Sequence, residues 1–321
     1  MLSRRHFLAT TALTTLAGHA LAQSFPTRPL RLVVPFPPGG AGDVQARLIG
    51  EYMSRELGQP VVVENKVGAG TVIGSQYVAQ SPPDGSTLLL IANSFVINAK
   101  LRAATLPYPG LKAFDPVASL SNSPQALAVN ASSPWRTFKE WMDAVKAKPD
   151  TISYATFGLA TAQHIAAEML VRAAGLRMTY VPYPGGAPAV NAVLAGHVQT
   201  VLANVNEIQA HAEAGKLRML AVTSPQRLSS LPNVPTVAES GVPGYEASAW
   251  FGLVAPTGTP KEVIARIARA ATNAVADADV RKRLVTLGLQ PYAMDSAQFG
   301  SHIQDQFALY SKVIDEAGIK P

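Results

Sequence analysis

Residues 31–47 read RLVVPFPPGGAGDVQAR: an apolar strand, a Pro/Gly loop and the opening of an amphipathic helix. The first N–H groups of a helix have no intrahelical partner and carry the positive end of its dipole. A loop of small residues lets an anion lie directly against them. The same arrangement recurs at VVVENKVGAGTVIGSQY (61–77), ISYATFGLATAQHIAAEM (152–169) and MTYVPYPGGAPAVNAVL (178–194). With two such units in each half of the chain, the pattern predicts a cleft between two α/β lobes that holds a small anion. Asp43 reads as the N-cap of the first of these helices. Gly39, Gly40, Gly68 and Gly70 read as positions for tight turns or for close approach of a ligand. His164 reads as a side chain packed on the first turn of a helix capped by Thr161.

Other chemistries find little support. Gly40-Ala41-Gly42 has Gln45 where a dinucleotide fingerprint needs its third glycine, and no phosphate-loop lysine or G-x-S-x-G elbow follows any loop. There is no cysteine. His164, His197, His211 and His302 show no i,i+4 pairing, so no metal site, cofactor or catalytic residue is expected. Asp277 and Asp279 form a carboxylate pair, but at a polar helix junction away from any expected cleft.

The elements that must position these loops alternate between strands and helices, which predicts an α/β fold with a largely parallel sheet and helices on both faces. The first helix is expected to start near Asp43, bury Leu48, Ile49, Tyr52 and Met53, and stop at Gly58. Pro82-Pro83-Asp84-Gly85 is a turn ahead of a buried strand at Thr87–Ala92. Thr137…Glu140 and Thr259…Glu262 both read as capping boxes, the second with Pro260 at the first helical position. Phe299, Ile303, Phe307, Tyr310 and Ile314 mark a last helix that ends at Gly318. A chain of this length favours two domains. The Pro/Ser-bearing stretches 116–134 and 250–260 read as crossover hinge strands. They place residues 23–120 plus 251–321 in the first lobe and residues 121–250 in the second.

Residues 1–22 read as a signal peptide. Arg4-Arg5 precede a short Thr/Ala/Leu stretch and Ala20-Leu21-Ala22, a twin-arginine pattern that predicts export to the periplasm with Gln23 as the first mature residue. The stretch is too short to span a bilayer. Without Arg4 and Arg5 the balance is 25 basic to 21 acidic residues, scattered along the chain, so nucleic acid is not an expected partner.

The successive segments PFPPGGAGDVQAR, ENKVGAGTVIG, YATFGLATAQHIAAE, VPYPGGAPAVNAVLAG, AGKLRMLAVTSPQRLSSLPNVPTVAESGVPGYE and WFGLVAPTGTP resemble, in order, the motifs of Bug-type extracytoplasmic solute receptors of tripartite tricarboxylate transporters. The resemblance implies a two-lobed periplasmic-binding-protein fold of the Venus-flytrap, type II-like kind. It also implies a monomer that captures a small carboxylate-bearing organic anion by cleft closure and delivers it to membrane permease subunits. A sensor partner of a signalling kinase, or less readily a small-molecule enzyme, is the alternative. The ligand loops carried over from the family fall on Phe36, Pro38, Gly39, Gly40 and Asp43, on Gly70 and Thr71, and on Thr156, Gly158, Ala160, Thr161 and His164. Thr156 and Ala160 stand where the family usually has serines, and Gln199 and Ala203 stand where it often has Asp, departures from the family pattern that bear on the ligand range.

Overall fold

The computed structural model describes residues 25–158 and 161–320. The expected signal peptide, and Ala160 of the second loop, lie outside the described residues. Along the chain, β1 (Leu30–Val34), α1 (Ala41–Leu57), β2 (Val61–Asn65), α2 (Val72–Ala79), β3 (Thr87–Ala92) and α3 (Asn93–Leu101) lead to the long strand β4 (Phe114–Asn130). Then follow α4 (Phe138–Ala147), β5 (Ser153–Thr156), α5 (Ala162–Ala173), β6 (Thr179–Pro182), α6 (Gly186–Leu194), β7 (Thr200–Asn204), α7 (Val205–Glu213) and β8 (Leu217–Val222). The chain ends with β9 (Ser248–Pro256), α8 (Lys261–Ala276), α9 (Ala278–Thr286), β10 (Gln290–Met294) and α10 (Ser296–Ala317). All four repeated sequences fold as strand, loop and helix: β1–α1, β2–α2, β5–α5 and β6–α6.

Two sheets share β4. In the first, the order is β2-β1-β3-β9-β4, with β10 also on β4; β1, β2 and β3 are mutually parallel. In the second, β4 carries β8 and β7, and β5 and β6 continue outward parallel to β7. The change of partner is abrupt: Pro124 pairs with Ser248 of β9, and Gln125 with Asn204 of β7.

Strand alternation sends neighbouring residues to opposite faces, and both faces are covered, as buried parallel strands require. Leu32 packs with Ile49, Met53 and Ile267 under α1 and α8, while Val33 joins Phe95, Phe299 and Ile314 under α3 and α10. In the second sheet Leu127 joins Trp141 and Leu170, and Ala128 joins Val190 and Ile208. Each fully buried aliphatic side chain of this kind contributes about 1.5–3 kcal/mol relative to exposure.

Helix ends follow the sequence in most places. Gly58 ends α1 at φ 72°, Gly318 ends α10, and Thr137 with Glu140 makes the expected capping box. One expectation fails. The Thr259 box does not form: Pro260 occupies the cap position, α8 begins at Lys261, and the Thr259 hydroxyl turns back to the Pro256 carbonyl at 2.7 Å. The chain enters β9 from the second sheet, where the Ala247 N–H still donates to the Thr223 carbonyl, and from Ser248 on it pairs with β3 and the first half of β4.

Candidate functional site

The register fixes where the loops meet. Ala92, at the end of β3, is level with Phe251 of β9, which is level with Ser121 of β4. Asn204, at the end of β7, is level with Gln125 of β4. The C-terminal ends of the parallel strands in the two sheets therefore face each other across Ser121–Gln125, roughly 13 Å of strand at about 3.3 Å per residue. Crevices outside the carboxyl ends of parallel strands are where α/β sheets bind ligands.

On the first sheet, the loop after β1 carries Phe36, Pro38, Gly39 and Gly40. Gly39 sits at φ 80°, which a side chain would strain, whereas Gly40 has an ordinary φ of −73° and caps α1 without any side-chain bond. The expectation that Asp43 is the N-cap is thus corrected: Asp43 is the third residue of α1. Its buried carboxylate reaches back to the Gly39 N–H at 2.9 Å, accepts from Asn65 at 2.8 Å and pairs with Arg47 at 2.9 Å. The Arg47 hydrogen bond leads in holding its pKa down to about 2. Asp43 shapes the loop from beneath, and its charge is already compensated.

Asn65 also donates to the Phe36 carbonyl at 3.1 Å, so the loop after β2 is tied to the loop after β1. In that second loop Ala69, Gly70 and Thr71 are consecutive positive-φ residues, with Thr71 at 86°. A β-branched residue there costs about 1–3 kcal/mol, a strain that collects at functional sites. Asn98 holds the Gly70 carbonyl at 2.6 Å, and α2 starts with no side-chain cap.

The second sheet is built differently. Thr161 caps α5 as expected: its hydroxyl accepts from the His164 N–H at 3.2 Å and donates to the Gly158 carbonyl at 2.9 Å. Thr156 is fully buried under this loop, 3.4 Å from the Tyr180 hydroxyl. His164 is buried and stacked on Tyr180 with ring centroids 4.2 Å apart, and burial pulls its pKa down. It belongs to the packing below the loop together with Tyr154, whose hydroxyl donates to Glu168 at 2.5 Å. The helix after β6 starts at Gly185 with no side-chain cap. Gly186 presses on the Phe157 ring and the Glu207 carboxyl so closely that a Cβ would overlap both. Burial raises the Glu207 pKa to about 7, while its Oε2 accepts the Asn204 N–H at 3.3 Å.

The structure thus gathers Phe36, Pro38, Gly39, Gly40, Gly70 and Thr71 on one side, and Thr156, Gly158 and Thr161 on the other. Among the described residues no hydrogen bond joins the two loop sets. Ser121, Ser123, Gln125, Gln45, Gln163 and Glu207 escaped the sequence reading. Ser121, Ser123 and Gln125 alternate along β4, and that period of two was the available signal. Ser121 donates to Gln45 Oε1 at 2.7 Å, and Gln163 donates to Asn204 at 2.9 Å. Gln45 and Gln125 are fully buried, yet Gln45 Nε2 and both amide atoms of Gln125 have no partner among the described residues. Each such group costs about 1–3 kcal/mol.

A family model described as "Tripartite tricarboxylate transporter family receptor" matches residues 45–319. The chain belongs to that family. It is 39% identical over 293 residues, 90% of this chain and 87% of the other, to a UPF0065 protein from the tcbD–tcbE intergenic region of a Pseudomonas species. It is similar to the solved structure of the periplasmic binding protein BugD, with 33% identity, a TM-score of 0.76 and coverage of 92% and 99% of the two chains. It is also similar to an R. palustris protein solved with adipate, with 32% identity, a TM-score of 0.80 and the same coverage. The two-sheet architecture is that of this receptor family, as the sequence motifs implied.

Proposed function

We propose that this receptor binds a small carboxylate-bearing solute in the crevice over Ser121–Gln125 and passes it to the permease subunits of a membrane transporter. Ahead of α2 the Thr71 and Val72 N–H groups are taken by the Gly68 and Ala69 carbonyls, and the uncapped N-termini of α1 and α6 at the mouths of these loops carry the reading. They offer N–H groups and positive dipole ends, and no Lys or Arg stands in the loops 35–40 or 67–71. Adipate in the R. palustris relative supports a carboxylate as the recognised group. The ligand residues are those of the loops: Phe36, Pro38, Gly39, Gly40, Gly70, Thr71, Thr156, Gly158, Ala160 and Thr161, with Asp43 and His164 supporting them from below.

In this reading residues 23–120 plus 251–321 and residues 121–250 move as two lobes that close on the solute. The receptor works as a monomer in the periplasm, reached through the Arg4-Arg5 signal. The family and the loop chemistry support binding rather than turnover. Isothermal calorimetry and thermal-shift screening against mono-, di- and tricarboxylates test the proposal. Saturable binding that raises the melting temperature is expected, since a ligand held by the native state alone stabilises it. A panel that leaves the melting temperature unmoved overturns it. For export, lysines at positions 4 and 5 should strand the precursor in the cytoplasm; periplasmic accumulation of that variant removes the twin-arginine route.

A further inference from the structure

We infer that Gln125 reads a second, uncharged group on the solute, one that both donates and accepts hydrogen bonds: a hydroxyl or a carboxamide. The inference rests on the carboxylate-receptor reading above and deepens it. Gln125 lies on β4 at the floor between the facing strand ends, directly opposite Asn204 in the ladder. Its backbone is fully engaged: the N–H donates to Thr223 Oγ1 at 3.1 Å, and the carbonyl accepts the Thr223 N–H at 2.9 Å. Only the side-chain amide is idle: inside a fully buried residue, neither of its atoms has a partner among the described residues.

Nothing in the fold requires an amide there. Leu127 and Val129, at the next alternate positions of the strand, are plain core residues, and an apolar side chain at 125 would continue their face. Buried carboxamides are ordinarily paired, so an unpaired one at the floor of a ligand crevice is most simply matched by the ligand. Gln45, held by Ser121 at the other end of the floor, adds an unpaired donor from α1.

Hydrogen-bond polarity decides the class of the second group. The Gln125 amide presents an acceptor, Oε1, and a donor, Nε2, and neither has a partner among the described residues. A carboxylate only accepts and would leave Oε1 unmatched. A hydroxyl or a carboxamide both donates and accepts, and so meets both atoms.

Calorimetry with matched acids tests this: 3-hydroxybutyrate against butyrate for the hydroxyl, and succinamate against succinate for the carboxamide. The wild-type protein should favour the neutral polar acid by about tenfold in at least one pair. Gln125→Met should bring that ratio to within about threefold of parity. Its ligand-free melting temperature should stay level or rise, because an unpaired buried amide has been removed. A structural role would instead lower the melting temperature and leave the ratio alone, which overturns the inference. Wild-type binding of the acids without preference in either pair also overturns it, whether or not the variant folds. Failure of every acid to bind refutes the underlying receptor reading, and the inference with it.

Discussion

Residues 35–43, and the described residues 157, 158 and 161–164, stand at opposite ends of the same stretch of β4, each set between a strand and a helix. The first keeps its helix N-terminus open. Gly40 supplies no side-chain cap, and the acidic residue of the first turn is pinned beneath the loop by Arg47, Asn65 and the Gly39 N–H. The second uses its own Thr161 hydroxyl on the His164 N–H, so one donor is withdrawn from any ligand. Nearby, α6 has an open start but the half-buried carboxyl of Glu207 beside it. Similar strand–loop–helix sequences therefore build one side that offers backbone donors under a compensated charge. On the other side part of the donor set is already spent, and a carboxyl changes charge near neutral pH. Capping chemistry, more than the glycines themselves, decides which N–H groups are left without a partner in the fold.

The sharpest test of this asymmetry is Gly40→Val. A Cβ there meets only the Pro37 carbonyl, at 3.4 Å, and φ is ordinary, so the ligand-free melting temperature should stay close to wild type. Binding of a carboxylate identified by screening should weaken by about a hundredfold or more, near 3 kcal/mol, as read by calorimetry. Undiminished affinity would move the anchor away from the first loop.

A smaller effect is expected from Glu207. Its folded pKa, about 7, lies above the 4.5 of an ordinary glutamate. The native state therefore binds the proton more tightly, and this stabilisation is complete below pH 4.5 and lost as pH rises through about 7. Urea unfolding of wild type and Glu207→Gln at pH 5 and pH 8 should show a wild-type loss of at most about 3 kcal/mol that the variant lacks. Parallel pH dependence in the two proteins would place the titration elsewhere.

Asp43 has the opposite sign. Its pKa is lowered from 3.8 to about 2, so its contribution is present above pH 3.8 and is lost as pH falls through about 2. Asp43→Asn should cost about 1–2 kcal/mol at pH 7 and flatten the acid limb of the stability curve. An unchanged acid limb would show that the Arg47 pair contributes nothing net.

Thr161→Val is the mildest. It removes an N-cap, at about 1 kcal/mol, and should lower the ligand-free melting temperature by about 2–4 °C. The accompanying loss of affinity should be smaller than for Gly40→Val. A binding loss as large as that of Gly40→Val would mean that the Thr161 hydroxyl contacts the solute itself, and the two loops would then be equivalent.

Local chemistry was legible in the sequence wherever a residue's effect stays within one turn or one strand. The four strand–loop–helix units, the Gly58 and Gly318 stops, the Thr137 box, the Thr161 cap and the strand Thr87–Ala92 all depend on neighbours a few residues away. Local signals also misled: Pro260 took the cap position from Thr259, and Asp43 sits three residues beyond the true cap, Gly40. The family-specific motifs gave the architecture, since they span nearly the whole chain. Tertiary structure alone decided the rest. Only the pairing of β4 with β9 on one side of Gln125 and with β7 on the other turns alternating serines and a glutamine into a cleft floor. Packing of α7 against α6 buries Glu207 and raises its pKa, and the fold brings His164 into a stack on Tyr180, a residue of a different strand. These outcomes depend on register and burial between segments far apart in the chain, and a charge or an amide has no fixed role until its distant partners set its dielectric and its hydrogen bonds.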